Sequence, residues 1–252
     1  DVDGNIVTAD QYSTEADGGV FFLRMEVSSQ GSLEPIEKAI KSAGSDLDAE
    51  VFIYKSLERP RIGFLVSKED HCLKECLYRC KSGELNIDID CVIGNHDIHK
   101  ELCDFYNVQF HYIPAKTGDR KEDEVLEYVK DKTDGLILAR YMQILSKDFI
   151  EDYRHPIINI HHSFLPSFKG ANPYRQALDR GVKIIGATTH FVTEGLDEGP
   201  IIQQAVRSIS HKDTIESIKA KSKVLEKNTL AETIALFSQR RIIRHENKTV
   251  IF

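Results

Sequence analysis

The residues best suited to chemistry fall in two short clusters. In Asn159-Ile160-His161-His162-Ser163-Phe164-Leu165-Pro166, a buried-looking strand runs directly into polar residues. Asn159 and His161 stand two apart, so on an extended backbone both point to the same side. An amide donor and an imidazole placed together at a strand end can hydrogen-bond one carbonyl oxygen, which is what stabilising an oxyanion requires. The second cluster, Thr189-His190-Phe191-Val192-Thr193-Glu194-Gly195-Leu196-Asp197-Glu198-Gly199-Pro200, leaves another strand through a glycine-bounded loop. An acid at Asp197 could orient the imidazole of His161 or take a proton from water. Taken singly, each residue also has an ordinary role: Asn159 satisfying loop backbone, His161 or His162 packed in a core, Asp197 in a turn.

Both clusters need a scaffold that brings strand ends together, and the apolar pattern predicts one. Between residues 62 and 160, strands (62–66, 87–93, 109–113, 135–139, 156–160) alternate with helices (73–81, 99–106, 122–131, 147–153). That rhythm predicts an α/β fold with a doubly wound, mostly parallel sheet. In such sheets ligands bind at the carboxyl ends of the strands, where both clusters lie. A strand pair (186–192 and 201–206), a long helix (214–238) and a closing hairpin (241–244 with 248–251) complete the domain, assigned to residues 61–252. Ahead of it, residues 1–58 read as strand, strand (20–27), helix (33–42, stopped at Gly44) and strand (49–54). This matches the last two thirds of a ferredoxin-like α+β unit whose first strand and helix would precede Asp1. Such a module has a marginal core and an exposed sheet edge, so a homodimer or higher oligomer is expected.

Composition narrows the classes. The chain has 252 residues, 41% of them apolar, which is ample for a core and excludes a disordered chain. No apolar run reaches the ~18 residues of a membrane span. A net charge of −7 argues against a nucleic-acid partner. Five cysteines are too few for a disulfide scaffold at this length and read as reduced thiols, in keeping with a cytoplasmic protein. Cys72, Cys76 and Cys80 would line one helix face. Metal binding there is conceivable, but small buried hydrophobes facing a sheet is the stronger reading, and no metal is assigned.

Together the two clusters resemble the folate-dependent formyl-transfer family, which carries Asn-x-His after one strand and a later Leu-Asp-x-Gly. The stretches Phe168-Lys169-Gly170-Ala171-Asn172-Pro173-Tyr174 and Gly186-Ala187-Thr188-Thr189-His190-Phe191-Val192 fit its formyltetrahydrofolate-hydrolysing branch, and the likeness runs from Asp10-Gln11-Tyr12 to the terminal hairpin. The resemblance implies that Asn159, His161 and Asp197 are the catalytic trio, with Asp197 as base or as the group positioning water and imidazole. It implies that Met142, Gln143, Ile144 and Leu145 flank the folate pocket, opposite His190, Val192, Thr193 and Glu194. It also implies 10-formyltetrahydrofolate as substrate, no required cofactor, formate as a product available to purine synthesis, and an ACT-type front module with an amino-acid effector. The missing first strand and helix depart from that module's pattern.

The rival is transfer of the formyl group to a small amine such as glycinamide ribonucleotide or an amino sugar. A phosphorylated acceptor needs an anion cradle of backbone N–H groups, which the family's purine-pathway transferases build from a Gly/Ser/Asn-rich turn after the first strand. Here that turn is Ser67-Lys68-Glu69-Asp70-His71, with no glycine and two acids. Helix capping would account for the acids but not for the missing glycines. A site without an acceptor pocket can still admit water.

Overall fold

The computed structural model describes residues 4–115, 120–167 and 173–252. The chain divides into two compact units, Asp1–Glu58 with Val250–Phe252, and Arg59–Thr249.

In the first unit, β1 (Asn5–Ser13) and β2 (Phe21–Ser28) form an antiparallel hairpin in which Asn5 faces Ser28 and Ser13 faces Phe21. Helix α1 (Glu34–Asp46) follows. It runs past Gly44, contrary to the sequence expectation, because that glycine is buried and a Cβ there would drive into the Val51 side chain. The strand expected at 49–54 does not form. The segment has strand-like residues but no ladder partner among the described residues, and a lone extended segment leaves its backbone groups to water. Only Ile36 and Gly44 are buried among the described residues of 4–58.

The second unit contains β3 (Arg61–Val66), α2 (His71–Ser82), β4 (Asp88–Gly94), α3 (Lys100–Tyr106), β5 (Gln109–Tyr112), α4 (Glu122–Val129), β6 (Gly135–Ala139), α5 (Lys147–Tyr153) and β7 (Ile157–His161). Then come α6 (Pro173–Asp179), β8 (Ile184–Phe191), β9 (Ile201–Ser208), α7 (Ile215–Ser238) and β10 (Ile242–His245), while β11 (Lys248–Ile251) spans the division, Val250 and Ile251 belonging to the first unit. Seven strands form one sheet in the order β5-β4-β3-β6-β7-β8-β9. The first five are parallel, as the alternation predicts; β8 runs antiparallel to β7, and β9 to β8. The short helix α6 has too few apolar residues to show a period and was not anticipated.

Helices cover both sheet faces, which is why the central strands read as unbroken apolar runs. Phe64, Val66, Ile137 and Ala139 point to one face, against Cys72 and Cys76 of α2 and Leu230, Ile234 and Phe237 of α7. Leu65, Leu136 and Leu138 point to the other, against Val125 and Val129 of α4 and Phe149 and Tyr153 of α5. Helix α7 starts at a capping box in which the Thr214 side chain accepts from Ser217 N–H.

One carboxylate ties four of these elements together. Glu226 of α7 is only 1% exposed. Its Oε1 accepts from Ser222 Oγ at 2.7 Å and from the Tyr174 hydroxyl of α6 at 3.1 Å. Its Oε2 accepts from His71 Nε2 of α2 at 3.0 Å and lies 3.5 Å from Nε of Arg140, the residue that follows β6. Burial works against the charge, but the hydrogen bond from His71 and the Arg140 guanidinium outweigh it and hold the Glu226 carboxyl at about 2.

Two predictions follow from the packing. Gly199 sits so close to the Phe191 carbonyl oxygen that a Cβ would overlap it. Gly199→Ala should cost about 1–3 kcal/mol in urea unfolding followed by circular dichroism. The depressed carboxyl makes Glu226 stabilising above its ordinary value of 4.5, with that contribution lost as pH falls toward about 2. The stability gap between wild type and Glu226→Gln should therefore be full at pH 7 and shrink between those two pH values.

Candidate active site

Antiparallel pairing of β7 with β8 builds the centre of the site. Asn159 and His190 are direct cross-strand partners, and Asn159 Nδ2 lies 3.2 Å from His190 Nε2. Nδ1–H of His190 donates to the Phe191 carbonyl at 2.9 Å, which fixes the ring plane. His161 stands two residues along β7 from Asn159 and is buried. The loop after β8 then folds Asp197 onto both rings: Oδ2 is 3.2 Å from His161 Nδ1 and Oδ1 is 3.5 Å from His190 Nε2.

The loop reaches that position at some backbone cost. Asp197 has φ 55°, the left-handed region, which aspartate tolerates better than most residues. Burial raises the Asp197 carboxyl, but the hydrogen bond from His161 and the closeness of both imidazoles prevail and hold it well below the usual carboxylate range. It is therefore ionised across the working pH range and a weak base. With Nδ1–H of His161 donated to Asp197, the other ring nitrogen, Nε2, is left buried with no partner among the described residues. A buried imidazole nitrogen without a partner is costly unless a ligand completes it. Next in sequence, His162 is held at about 4 by burial and by the nearby Arg140 charge, so it is neutral near neutrality.

The structure thus brings Asn159, His161 and Asp197 together, and adds His190 to them. His190 was expected only as a pocket wall; the signal was there in its place opposite Asn159 once β7 and β8 pair. The other expected wall residues divide. Met142 and Ile144 are 63% and 50% exposed, apolar side chains that packing leaves uncovered. Gln143 and Thr193 are half-buried, Thr193 donating to the Gly195 carbonyl at 3.5 Å. Leu145 is buried in the apolar cluster of α5, and Val192 packs on the same cluster. Glu194 is exposed and pairs with Lys147 at 2.9 Å. The 168–172 stretch that contributed to the resemblance lies outside the described residues.

At the Ser67–His71 turn the acids do not cap α2, contrary to expectation. Asp70 makes no side-chain cap and pairs with Lys74 at 2.5 Å, and Glu69 pairs with Lys223 of α7 at 2.6 Å. The Ser67 hydroxyl is committed to Asn95 Oδ1 at 2.7 Å and to the Tyr141 carbonyl. His71, Cys72 and Glu226 offer three potential ligand atoms within 4.8 Å of one another. The Arg140 guanidinium beside Glu226 already supplies positive charge there, and burial pushes the Cys72 thiol far up, so the group suits an ion pair better than a cation. Cys72 and Cys76 are buried in the core between α2 and the sheet.

Comparison with known proteins agrees with this geometry. The formyl transferase family model matches residues 60–234. The chain is 42% identical to the formyltetrahydrofolate deformylase of Bacillus subtilis over 98% of this chain and 85% of that protein. It is 42% identical to the Synechocystis formyltetrahydrofolate deformylase over 99% and 89%. The crystal structure of a formyltetrahydrofolate deformylase from Pseudomonas syringae superposes with a TM-score of 0.92 at 38% identity, covering 99% of this chain and 86% of that one. Glycinamide ribonucleotide transformylase 1 from Symbiobacterium toebii is more distant, with a TM-score of 0.72 and 30% identity over 81% of this chain and 98% of that one. By fold, by the residues gathered at the β7–β8 strand ends and by these likenesses, the chain belongs to the formyltetrahydrofolate deformylases of the formyl transferase family.

Proposed function

We propose that this protein hydrolyses 10-formyltetrahydrofolate to formate and tetrahydrofolate, with Asn159, His161 and Asp197 as the catalytic trio. The observation that carries the assignment is the free Nε2 of His161, whose opposite nitrogen is held 3.2 Å from Asp197. Asp197 is too weak a base to deprotonate water, so its role is to fix the tautomer and direction of the imidazole. Nε2 takes a proton from water as the oxygen attacks the formyl carbon. The Asn159 amide has two N–H groups; one faces His190, and the other is available to the oxyanion that develops on the formyl oxygen. Collapse of that intermediate breaks the carbon–nitrogen bond, and His161 returns its proton to the leaving nitrogen. The exposed Met142 and Ile144, with Gln143, Leu145, His190, Val192, Thr193 and Glu194, form the folate-flanking loops in this reading.

The same reading takes residues 1–58 as an ACT-like regulatory module open to an amino-acid effector, and the protein as a cytoplasmic homo-oligomer whose formate supplies purine synthesis. The near-absence of buried side chains in the first unit supports association, since Ile6, Phe21, Phe52 and Leu57 are all exposed. Among the described residues no helix is long and apolar enough to cross a membrane.

Purified protein given 10-formyltetrahydrofolate and no acceptor should release formate in equal amount to tetrahydrofolate. If formate appears only when an amine is added, the reaction is transfer. In the same assay His161→Ala and Asp197→Asn should each lose about 10²–10⁴-fold in turnover. Asn159→Ala should lose about 10²–10³-fold. Near-normal rates in all three, with unchanged circular dichroism, would exclude this site.

A further inference from the structure

A primary amide donates at Nδ2 and accepts at Oδ1, and the two ends are nearly the same size, so shape alone does not decide which end faces a neighbour. For Asn159 the difference is chemical. An N–H turned toward a formyl oxygen stabilises the negative charge that develops there. Turned over, the amide would present carbonyl lone pairs from the same position and oppose that charge. The direction of the amide therefore has to be set by a group with a fixed polarity.

Cross-strand pairing supplies one. His190 stands directly opposite Asn159 in the β7–β8 ladder, and its side chain is only 3% exposed, so bulk water does not complete the ring. Its Nδ1–H is spent on the Phe191 carbonyl at 2.9 Å. In a neutral imidazole the nitrogen opposite the donor is a bare acceptor, so the bond made by Nδ1 determines what Nε2 can do. Asn159 Nδ2 lies 3.2 Å from that nitrogen and donates to it. An Oδ1 in the same place would set two acceptors against each other with no hydrogen between them. Asp197 Oδ1 is farther from Nε2, at 3.5 Å, and the Asp197 carboxylate meets its donor through the other oxygen, at His161 Nδ1. A ring protonated at Nε2 would reverse the arrangement, donating to Asp197 and leaving the Asn159 N–H without its acceptor.

We infer that His190 is a positioning residue that acts through Asn159: the lone pair on its Nε2 fixes the amide with N–H, not C=O, toward the formyl oxygen. This rests on the hydrolytic reading above, in which Asn159 is the oxyanion donor. In this role His190 takes no proton and forms no bond to the reacting atoms. Its effect falls on turnover more than on substrate binding, because the direction of the amide matters most as charge builds on the oxygen.

The test is a double-mutant cycle read in formate release from 10-formyltetrahydrofolate without acceptor. Wild type, Asn159→Ala, His190→Phe, His190→Gln and the double variant Asn159→Ala/His190→Phe are compared, each checked for folding by circular dichroism. His190→Phe keeps a ring in the space but no acceptor, and should lower kcat about tenfold or more with KM changed less than about threefold. His190→Gln returns an acceptor oxygen near the place of Nε2 and should keep a higher kcat than His190→Phe. In the double variant the loss should match that of Asn159→Ala alone to within about threefold, since the group through which His190 acts is already gone. Additive losses overturn the assignment, because His190 would then act on Asp197 or on the fold. A wild-type kcat in His190→Phe, or equal losses in His190→Phe and His190→Gln, also overturns it. A second measurement needs no variant. Nitrogen-15 NMR of the unaltered protein near neutral pH should find the His190 proton on Nδ1 and none on Nε2, and a proton on Nε2 overturns the assignment whether or not the variants fold. If the wild type releases no formate, the hydrolytic reading fails on its own, while the NMR result still decides the direction of the amide.

Discussion

The site depends on one carboxylate having to serve two rings. Asp197 puts one oxygen on His161 and the other on His190, and those rings come from neighbouring antiparallel strands. The β7–β8 ladder sets the two rings side by side, and meeting both constrains the path of the loop that brings Asp197 in. It also requires the left-handed turn at Asp197 and the glycine at 199, because the loop passes against the Phe191 carbonyl on its way into β9. A buried carboxylate is unfavourable without donors and strongly directing with them. Much of the local backbone follows from meeting that demand.

A second buried acid, Glu226, plays a comparable part on the far side of His162. The two differ in their surroundings. Asp197 is surrounded by groups that leave one buried imidazole nitrogen without a partner, whereas Glu226 is saturated on both oxygens by residues from α2, α6, α7 and the end of β6. Neutral His162 lies between the two. One cluster leaves an imidazole nitrogen unpaired and the other closes on itself, although both are built from histidine and a carboxylate.

What could be read from sequence divides along physical lines. The central strands were legible because burial on both faces imposes unbroken apolar runs, and β6 and α5 fall on the residues their patterns indicate. The start of α7 was legible because Thr214 caps it through a local bond. Asn159, His161 and Asp197 stood out because polar residues following buried strands need a reason. The segment at 49–54 was misread because alternation reports strand propensity, while a strand also requires a partner. Gly44 was misread because its missing side chain serves packing against Val51, a contact that no helix-stop rule contains. The pairing of Arg140 with Glu226 was not legible. Each looks like an ordinary charged residue, and only the folded sheet brings the end of β6 to the middle of α7.

Each of the two loops after β6 and β8 sends one side chain inward. Leu145 on one and Val192 on the other both settle into the cluster that includes Tyr141, Phe149 and Tyr153. Residues proposed to border the substrate are thus outgrowths of the same apolar mass that holds the sheet to α4 and α5. The conformational entropy of Leu145 and Val192 is given up when the chain folds. Any ligand bordered by those two residues then has less ordering to accomplish on association.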